Sequence, residues 1–466
     1  MPEKITFALY FGNRGFFPGE LIADARRELV EAVKKAGYGY IIMDESLTRY
    51  GAVETREEGR KYAAFLEAYR GQFQGLILSM PNFSDENGAQ AALSEAGVPI
   101  LVQAYRDMPG KMDFAHRRDS MCGKFAMCNV LRQCGIKYTI MEPFTVDPGE
   151  AKFQEHLEAF AGICRIVTGM KRLNLGAIGA RTTAFKTVRV DEIGLQRHGV
   201  NVETFDLSEV FRLMKEVKPD RIAAKKNRIL ETTAFNYEDA KLETIARLAS
   251  VVDDYIEEYD LGAVAIRCWN ELEMTYGIAP CLILGELNDR GIAAGCEVDV
   301  PNAVIMKALS LAGNSAPMLL DINNNYGMED DKSILFHCGP VPLSLMEGKG
   351  VTEEHLMFRK SFGAGSGVGI NHGQIKRNIE VTFASAKTEN GKIWSFLGEG
   401  RLTGEKMEEG FFGCGVVMQH PRMQEIVTYV GREGYRHHLS LTAGSNAWAV
   451  REALTNYLGY EIHSFF

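Results

Sequence analysis

The apolar positions of the first third of the chain switch between two periods. "KITFALYF" is a short, nearly continuous apolar run, as expected of a strand buried on both faces. "ELIADARRELVEAVKKAG" then sets apolar residues at helical spacing and closes on Gly37. "YGYIIMDE" predicts a second strand, residues 57–69 a helix, "GLILSMP" a third strand, "NGAQAALSEAG" a helix and "VPILVQAY" a fourth strand. Strands alternating with helices predict a parallel sheet covered on both faces, because parallel neighbours need a crossover long enough to form a helix.

The pattern restarts near Leu173. "LNLGAIGA", "NVETFDL", "AVAIRCW" and "GIAAGCEV" predict strands, and helices over residues 237–258 and 279–289 separate the last three. After about Asp321 helices become scarce. "IEVTFASAKTENGKIWSFLGEGRLT" reads as two strands around an Asn-Gly turn. The expected class is α/β: two doubly wound, Rossmann-like domains over residues 1–165 and 166–320, then a β-rich, barrel-like C-terminal domain over residues 321–466.

Composition narrows the function classes. A chain of 466 residues exceeds one ordinary core, and 46% hydrophobic with 24% charged residues is a globular composition. The formal net charge is −9 and no Lys/Arg-rich run interrupts it, which argues against a nucleic-acid partner. No apolar run reaches the roughly 18 residues of a membrane span. "MPEKITFALYFGNRG" reads as a first strand and not as a signal peptide. The nine cysteines are odd in number and form no CxxC. They predict free, mostly buried thiols in a reducing cytoplasm and argue against a cysteine-based zinc site.

Candidate chemistry sits at strand ends, where parallel α/β sheets place ligands. Glu297 and Asp299 follow "GIAAGC", Asp321 ends "APMLLD" before the polar loop "INNNYG", and His337 ends "SILFHCG". Downstream, "GYRHHLSL" adds His437 and His438. Carboxylates with imidazole suit Mn²⁺, Mg²⁺ or Fe²⁺ better than soft metals. Spacing alone leaves open that these are strand-end caps and solvated loop acids. The glycine-rich residues 363–373 lack the P-loop pattern and serve either as an anion cradle or as tight turns, and "LGAIGAR" is equally ambiguous. Trp269 could stack on a sugar or simply pack. Lys186 and Arg189 could hold an anion or be surface charge. His116 has no metal partner by spacing.

"CEVDVPNAVIMKALSLAGNSAPMLLDINNNY" resembles the metal-binding segment of the L-fucose isomerase and L-arabinose isomerase superfamily, in which a Glu in an acid-x-Asp turn is followed, one helix and one strand later, by a second carboxylate. "CWNELEMTYGIAPCLILGELNDRGIAAGCE" is similar to the run leading into that site in the fucose-isomerase-like branch, "ILFHCG" to the His-bearing strand, and "YRHHLSL" to the C-terminal histidine motif. "FGNRGFFPGEL" resembles the first strand-to-helix loop, which in that family reaches the sugar, often from a neighbouring subunit. "MDFAHRRDSMCG" is similar to a pocket-lining segment of the arabinose enzymes.

The resemblance implies an aldose–ketose isomerase working through a cis-enediol. It implies metal ligands Glu297, Asp321 and His438, with Glu297 and Asp321 as the proton-moving pair. His337, Asp299 and His437 stand as further ligands or supports, and Asn13, Arg14 and Asp119 as sugar contacts. The implied cofactor is Mn²⁺, with Mg²⁺, Co²⁺ or Fe²⁺ as alternatives, and the implied assembly is a hexamer or another trimer-based homo-oligomer in the cytoplasm. The pocket-lining positions match neither the fucose nor the arabinose enzymes closely. The substrate expectation is therefore a fucose- or arabinose-like aldose or a modified hexose such as sulfoquinovose, for which Arg14, Arg117 and Arg118 offer cations. The rival readings are a non-catalytic sugar-binding or sensor protein and a metal-dependent sugar lyase or aldolase.

Overall fold

The N-terminal apolar run forms strand β1 (Thr6–Phe11), followed by β2 (Gly39–Ile42), β3 (Gly75–Met80) and β4 (Ile100–Ala104). They make one parallel sheet in the order β2-β1-β3-β4, with helices such as Leu21–Lys35 and Arg56–Ala68 as crossovers. The helix Arg56–Ala68 opens on a full capping box between Thr55 and Glu58, which is why it starts where it does. This computed structural model describes residues 4–466. By internal contacts the chain falls into two units, Met1–Thr168 with Glu452–Leu458, and Gly169–Arg451 with Gly459–Phe466.

The second unit holds two sheets. Strands β5 (Leu173–Ile178), β6 (Val200–Phe205), β7 (Thr233–Ala234), β8 (Leu261–Ile266) and β9 (Ala293–Cys296) come first. Four of them form a parallel sheet in the order β6-β5-β8-β9. Next come β10 (Pro317–Tyr326), β11 (Glu329–His337), β12 (Gly350–Glu354) and β13 (Val368–Gln374). The long pair β14 (Ile379–Glu389) and β15 (Lys392–Leu402) meets at the predicted turn, where Asn390 and Gly391 both take positive φ. Strands β16 (Cys414–Gln419), β17 (His438–Ala443) and β18 (Glu461–Phe465) complete the set.

These later strands, with β7, build a ten-stranded mixed sheet in the order β18-β15-β14-β17-β10-β11-β16-β13-β12-β7. Strand β15 also pairs with β16, so the run from β15 through β14, β17, β10 and β11 to β16 returns on itself. One helix links the two sheets of this unit. Val300–Gly313 follows β9 and packs on β14 and β17 as well as on β9. Nearly all its residues are buried, as its apolar sequence requires of a helix covered on every side.

One local expectation is overturned. Asp321 does not end its strand, and "INNNY" is not a loop: β10 runs on to Tyr326 and turns directly into β11 as an antiparallel hairpin. The polar residues tolerate the extended backbone because β10 beyond Asp321 is mostly exposed. Asp321 and His337 therefore belong to antiparallel ladders, and only Glu297 lies beyond the end of a parallel strand. All nine cysteines are free thiols. Among the described residues no helix is long and apolar enough to cross a membrane.

Candidate metal centre

The turn after β9 is tightly held. Glu297 and Val298 both adopt left-handed backbone, φ 57° and 58°, in spite of their Cβ atoms. The Val298 N–H donates to the Ile266 carbonyl of β8, and the Asp299 N–H to Cys296. Asp299 then caps the helix Val300–Gly313, its carboxylate accepting from the Asn302 N–H. This kink leaves the Glu297 carboxylate buried, with 7% of the residue exposed.

Sheet register brings the other groups to it. Asp321 on β10 lies directly opposite His438 on β17, and Phe336, opposite Asp321 on the other side, precedes His337. His438 Nε2 is 2.9 Å from Glu297 Oε2 and 3.6 Å from Asp321 Oδ1. His337 Nε2 is 4.0 Å from Glu297 Oε2, and His437 Nε2 is 3.7 Å from Asp321 Oδ1. Glu297 Oε2, Asp321 Oδ1, His337 Nε2 and His438 Nε2 are all buried, and apart from the ion-pair contact of His438 with Glu297 none has a close polar partner. Buried polar atoms seldom stay unmatched, and four converging ones mark a place built for a ligand.

A divalent cation fits each of two overlapping donor groups. Two ligand atoms each about 2.1 Å from one ion lie about 3.0 Å apart at a right angle and about 4.2 Å apart across it. The separations of 2.9 to 4.0 Å match that range to about 0.1 Å. Glu297, His337 and His438 form one group able to hold an ion, and Asp321, His437 and His438 a second that shares His438. A third, Cys268 with Cys296 and Glu297, places two thiols behind the same carboxylate.

Behind the cluster, polar demand is met. The His438 Nδ1–H donates to Asp299 Oδ2 at 2.7 Å. Asp299, fully buried, also accepts from the Asn302 side-chain amide at 2.6 Å and from Arg436 at 2.9 Å. Arg436 donates further to the carbonyls of Ala386 and Thr187. A histidine whose second nitrogen is fixed by a carboxylate is the usual support of a metal ligand. Asn302 and Arg436 were not singled out from the sequence. Arg436 adjoins the histidine pair in "YRHH", which was the available signal.

Burial alone would push the Glu297 carboxyl up, but the close His438 imidazole and those of His337 and His437 outweigh it and hold it below the ordinary carboxylate range. Asp299 is likewise held low against its burial, by Arg436 first and then His438. Burial disfavours charge on His438, yet Asp299 and Glu297 raise it well above an ordinary histidine. In the metal-free site a proton on His438 thus stands where a cation would supply positive charge.

The remaining candidates separate clearly. Phe185 packs against both His437 and His438, and Trp269 packs against Phe185 and Phe358. Lys186, next to Phe185, and Arg189 are exposed. His116 pairs with Asp113 at 2.8 Å. In residues 363–373 the glycines at 363, 365, 367 and 369 take positive φ, and the Gly365 N–H donates to Glu354. In the N-terminal unit Asn13 is fully buried, donating to Glu54 and accepting from Asn82. Arg14 lies over the Phe83 ring and pairs with Glu86. Asp119 precedes the helix Ser120–Gln133 and pairs with Arg117 at 2.8 Å.

Comparison with known proteins agrees with the expected family. Residues 8–171 match the fucose/sulfoquinovose isomerase N-terminal domain. The chain is 26% identical over 400 residues to a sulfoquinovose isomerase of Alkalicoccus urumqiensis, covering 84% of this chain and 86% of that one. It is 23% identical over 390 residues to the enzyme of that name from Priestia aryabhattai, covering 82% and 83%. A Clostridium sp. (strain MSTE9) protein with the same name is 28% identical over 288 residues, covering 58% of this chain and 61% of that one.

Proposed function

We propose that the chain, an aldose–ketose isomerase, is a member of the superfamily of L-fucose and L-arabinose isomerases, that it is metal-dependent and that its sugar is sulfoquinovose. The observation that carries metal dependence is a pair of overlapping groups of ligand atoms, Glu297, His337 and His438 and Asp321, His437 and His438, that share His438. The substrate reading rests on its relatives, which bear the name sulfoquinovose isomerase across most of this chain's length.

Isomerisation moves a proton between C1 and C2 of an open-chain sugar through a cis-enediol. Glu297, Asp321 and His438 are the residues to hold the cation. A bound divalent ion supplies electrostatic stabilisation for the negative charge that develops on O1 and O2. One of the two carboxylates takes the carbon-bound proton and the other moves the hydroxyl proton, steps of a kind that contribute roughly 10²–10⁴-fold. Asp299 and Arg436 keep His438 oriented. Phe185 and Trp269 give the sugar an apolar wall, and Lys186 is a cation beside that wall for the sulfonate. Arg14 and Asp119, with partly exposed side chains, belong to this reading as further substrate contacts, and the enclosed Asn13 holds the loop that carries Arg14.

Manganese is the proposed ion, from the mixed oxygen and nitrogen donors. A trimer-based or hexameric assembly, a cytoplasmic setting and a three-domain division at about residues 165 and 320 complete the reading. The test is an activity screen of metal-stripped protein, with and without Mn²⁺, across sulfoquinovose, L-fucose, L-arabinose, D-arabinose and D-galactose. The expected result is Mn²⁺-dependent conversion of sulfoquinovose to its ketose, abolished by Glu297→Gln. Turnover of another sugar in its place overturns the substrate, and full activity after stripping overturns the metal. Carbon–carbon cleavage products would make the protein a lyase.

A further inference from the structure

The two histidines nearest Glu297 are held by opposite hydrogen bonds. A neutral imidazole carries one proton, and the partner of one nitrogen decides which atom bears it. His438 Nδ1 faces Asp299 Oδ2 at 2.7 Å, and a carboxylate can only accept there. That nitrogen therefore carries the proton, and in the neutral ring Nε2 keeps its lone pair. His337 Nδ1 faces the Cys338 N–H at 2.8 Å, and a backbone amide can only donate. Its lone pair is therefore on Nδ1, and the proton is on Nε2. A nitrogen that bears a proton cannot bind a metal ion.

We propose that His337 is not a metal ligand but a hydrogen-bond donor, its Nε2–H aimed into the cluster to meet an oxygen of the substrate. The atom is buried, has no partner and lies 4.0 Å from Glu297 Oε2, too far to be satisfied by it. The His337 residue is 2% exposed, so water does not readily serve it. A buried N–H in that state is costly unless a ligand completes it. In the isomerase reading, on which this last step rests, the oxygen is O1 or O2 of the open-chain sugar, where negative charge grows as the proton leaves carbon. A donor preset toward that oxygen favours the charged species over the neutral sugar. His337 then differs in kind from His438, where the sequence left open whether His337 is a further ligand or a support.

The tautomer can be read with no metal present, which separates this inference from the metal reading. Protein labelled with ¹⁵N-histidine is examined by long-range ¹H–¹⁵N correlation, metal-free and with diamagnetic Mg²⁺. The His337 signals are identified by their loss in His337→Gln, or in His337→Asn should the first variant not fold. The Nε2–H tautomer is expected in both states, and a proton on Nδ1 in either overturns the assignment. In Mn²⁺-loaded protein, electron spin-echo measurements are expected to show an imidazole ¹⁴N coupling that disappears in His438→Gln and survives in His337→Gln. Loss of a coupling with His337→Gln overturns the proposal. His337→Gln is expected to lower kcat by about 10²-fold, the scale of a lost oxyanion donor, with Mn²⁺ affinity unchanged. An unchanged kcat would also refute the donor role.

Discussion

Two polar clusters sit just past the ends of parallel strands, one after β1 and one after β9, and they are finished differently. After β1, Asn13 is enclosed and its amide is used on both sides, by Glu54 and by Asn82. After β9, Glu297 is also buried, but four polar atoms there, on Glu297, Asp321, His337 and His438, make no hydrogen bond. The first cluster spends most of its polar groups on one another and so holds loops together, with Asn82 Oδ1 and Arg14 Nε left over. The second is satisfied only behind the front line, where Asp299, Arg436 and Asn302 bond closely, and it is left open toward a ligand. A polar residue at a strand end is thus a weak sign of function until its hydrogen bonds are accounted for.

The largest effect separating the clusters is expected at the reacting carboxylate. Glu297→Gln should lower kcat/KM by about 10³-fold or more while the protein stays folded by circular dichroism. Near-normal turnover would reduce the second cluster to a structural one. Arg436→Met comes next, because it removes the buried guanidinium that pairs with the fully buried Asp299 and leaves it only His438 and Asn302. It should cost about 3–5 kcal/mol in urea unfolding, and a loss below 1 kcal/mol would show that the supporting layer is not tightly coupled.

Asn13→Ala should cost about 1–3 kcal/mol by leaving Glu54 and Asn82 with unmatched buried groups. Its KM should change little if the first cluster is purely structural. A raised KM with unchanged stability would reverse the contrast and make Asn13 a substrate contact. The smallest effect is in pH. His438 is raised above an ordinary histidine, burial notwithstanding, by Asp299 and Glu297, so it holds a proton that must leave before Nε2 can take a cation. Cation affinity should therefore rise with pH, by up to about tenfold per unit, and level off once that proton is gone. Binding isotherms for Mn²⁺ at several pH values check this. A flat profile would mean that His438 does not exchange its proton for the ion.

The elements were mostly legible along the chain because their signals are local. The continuous apolar runs became β1, β3 and β4, and the Asn-Gly pair became the β14–β15 turn. The acids and histidines of the second cluster were legible as residue types at suggestive positions. The extent of β10 was not, because "INNNY" carries loop-forming residues and only its partner strand keeps it extended.

Sequence by itself determined the alternating α/β plan, the late turn to strands, the acid-x-acid turn at Glu297 and Asp299, and the family resemblance that named Asp321 and His438. Periodicity, turn chemistry and motif order are all written in neighbouring residues. Only the tertiary structure decided that Asp321 lies across from His438, that Asp299 and Arg436 stand behind it, and that the two histidines present different nitrogens. It alone enclosed Asn13. Each of these depends on which distant strand or loop comes to lie alongside, and a buried polar atom takes its role from the partner it meets there.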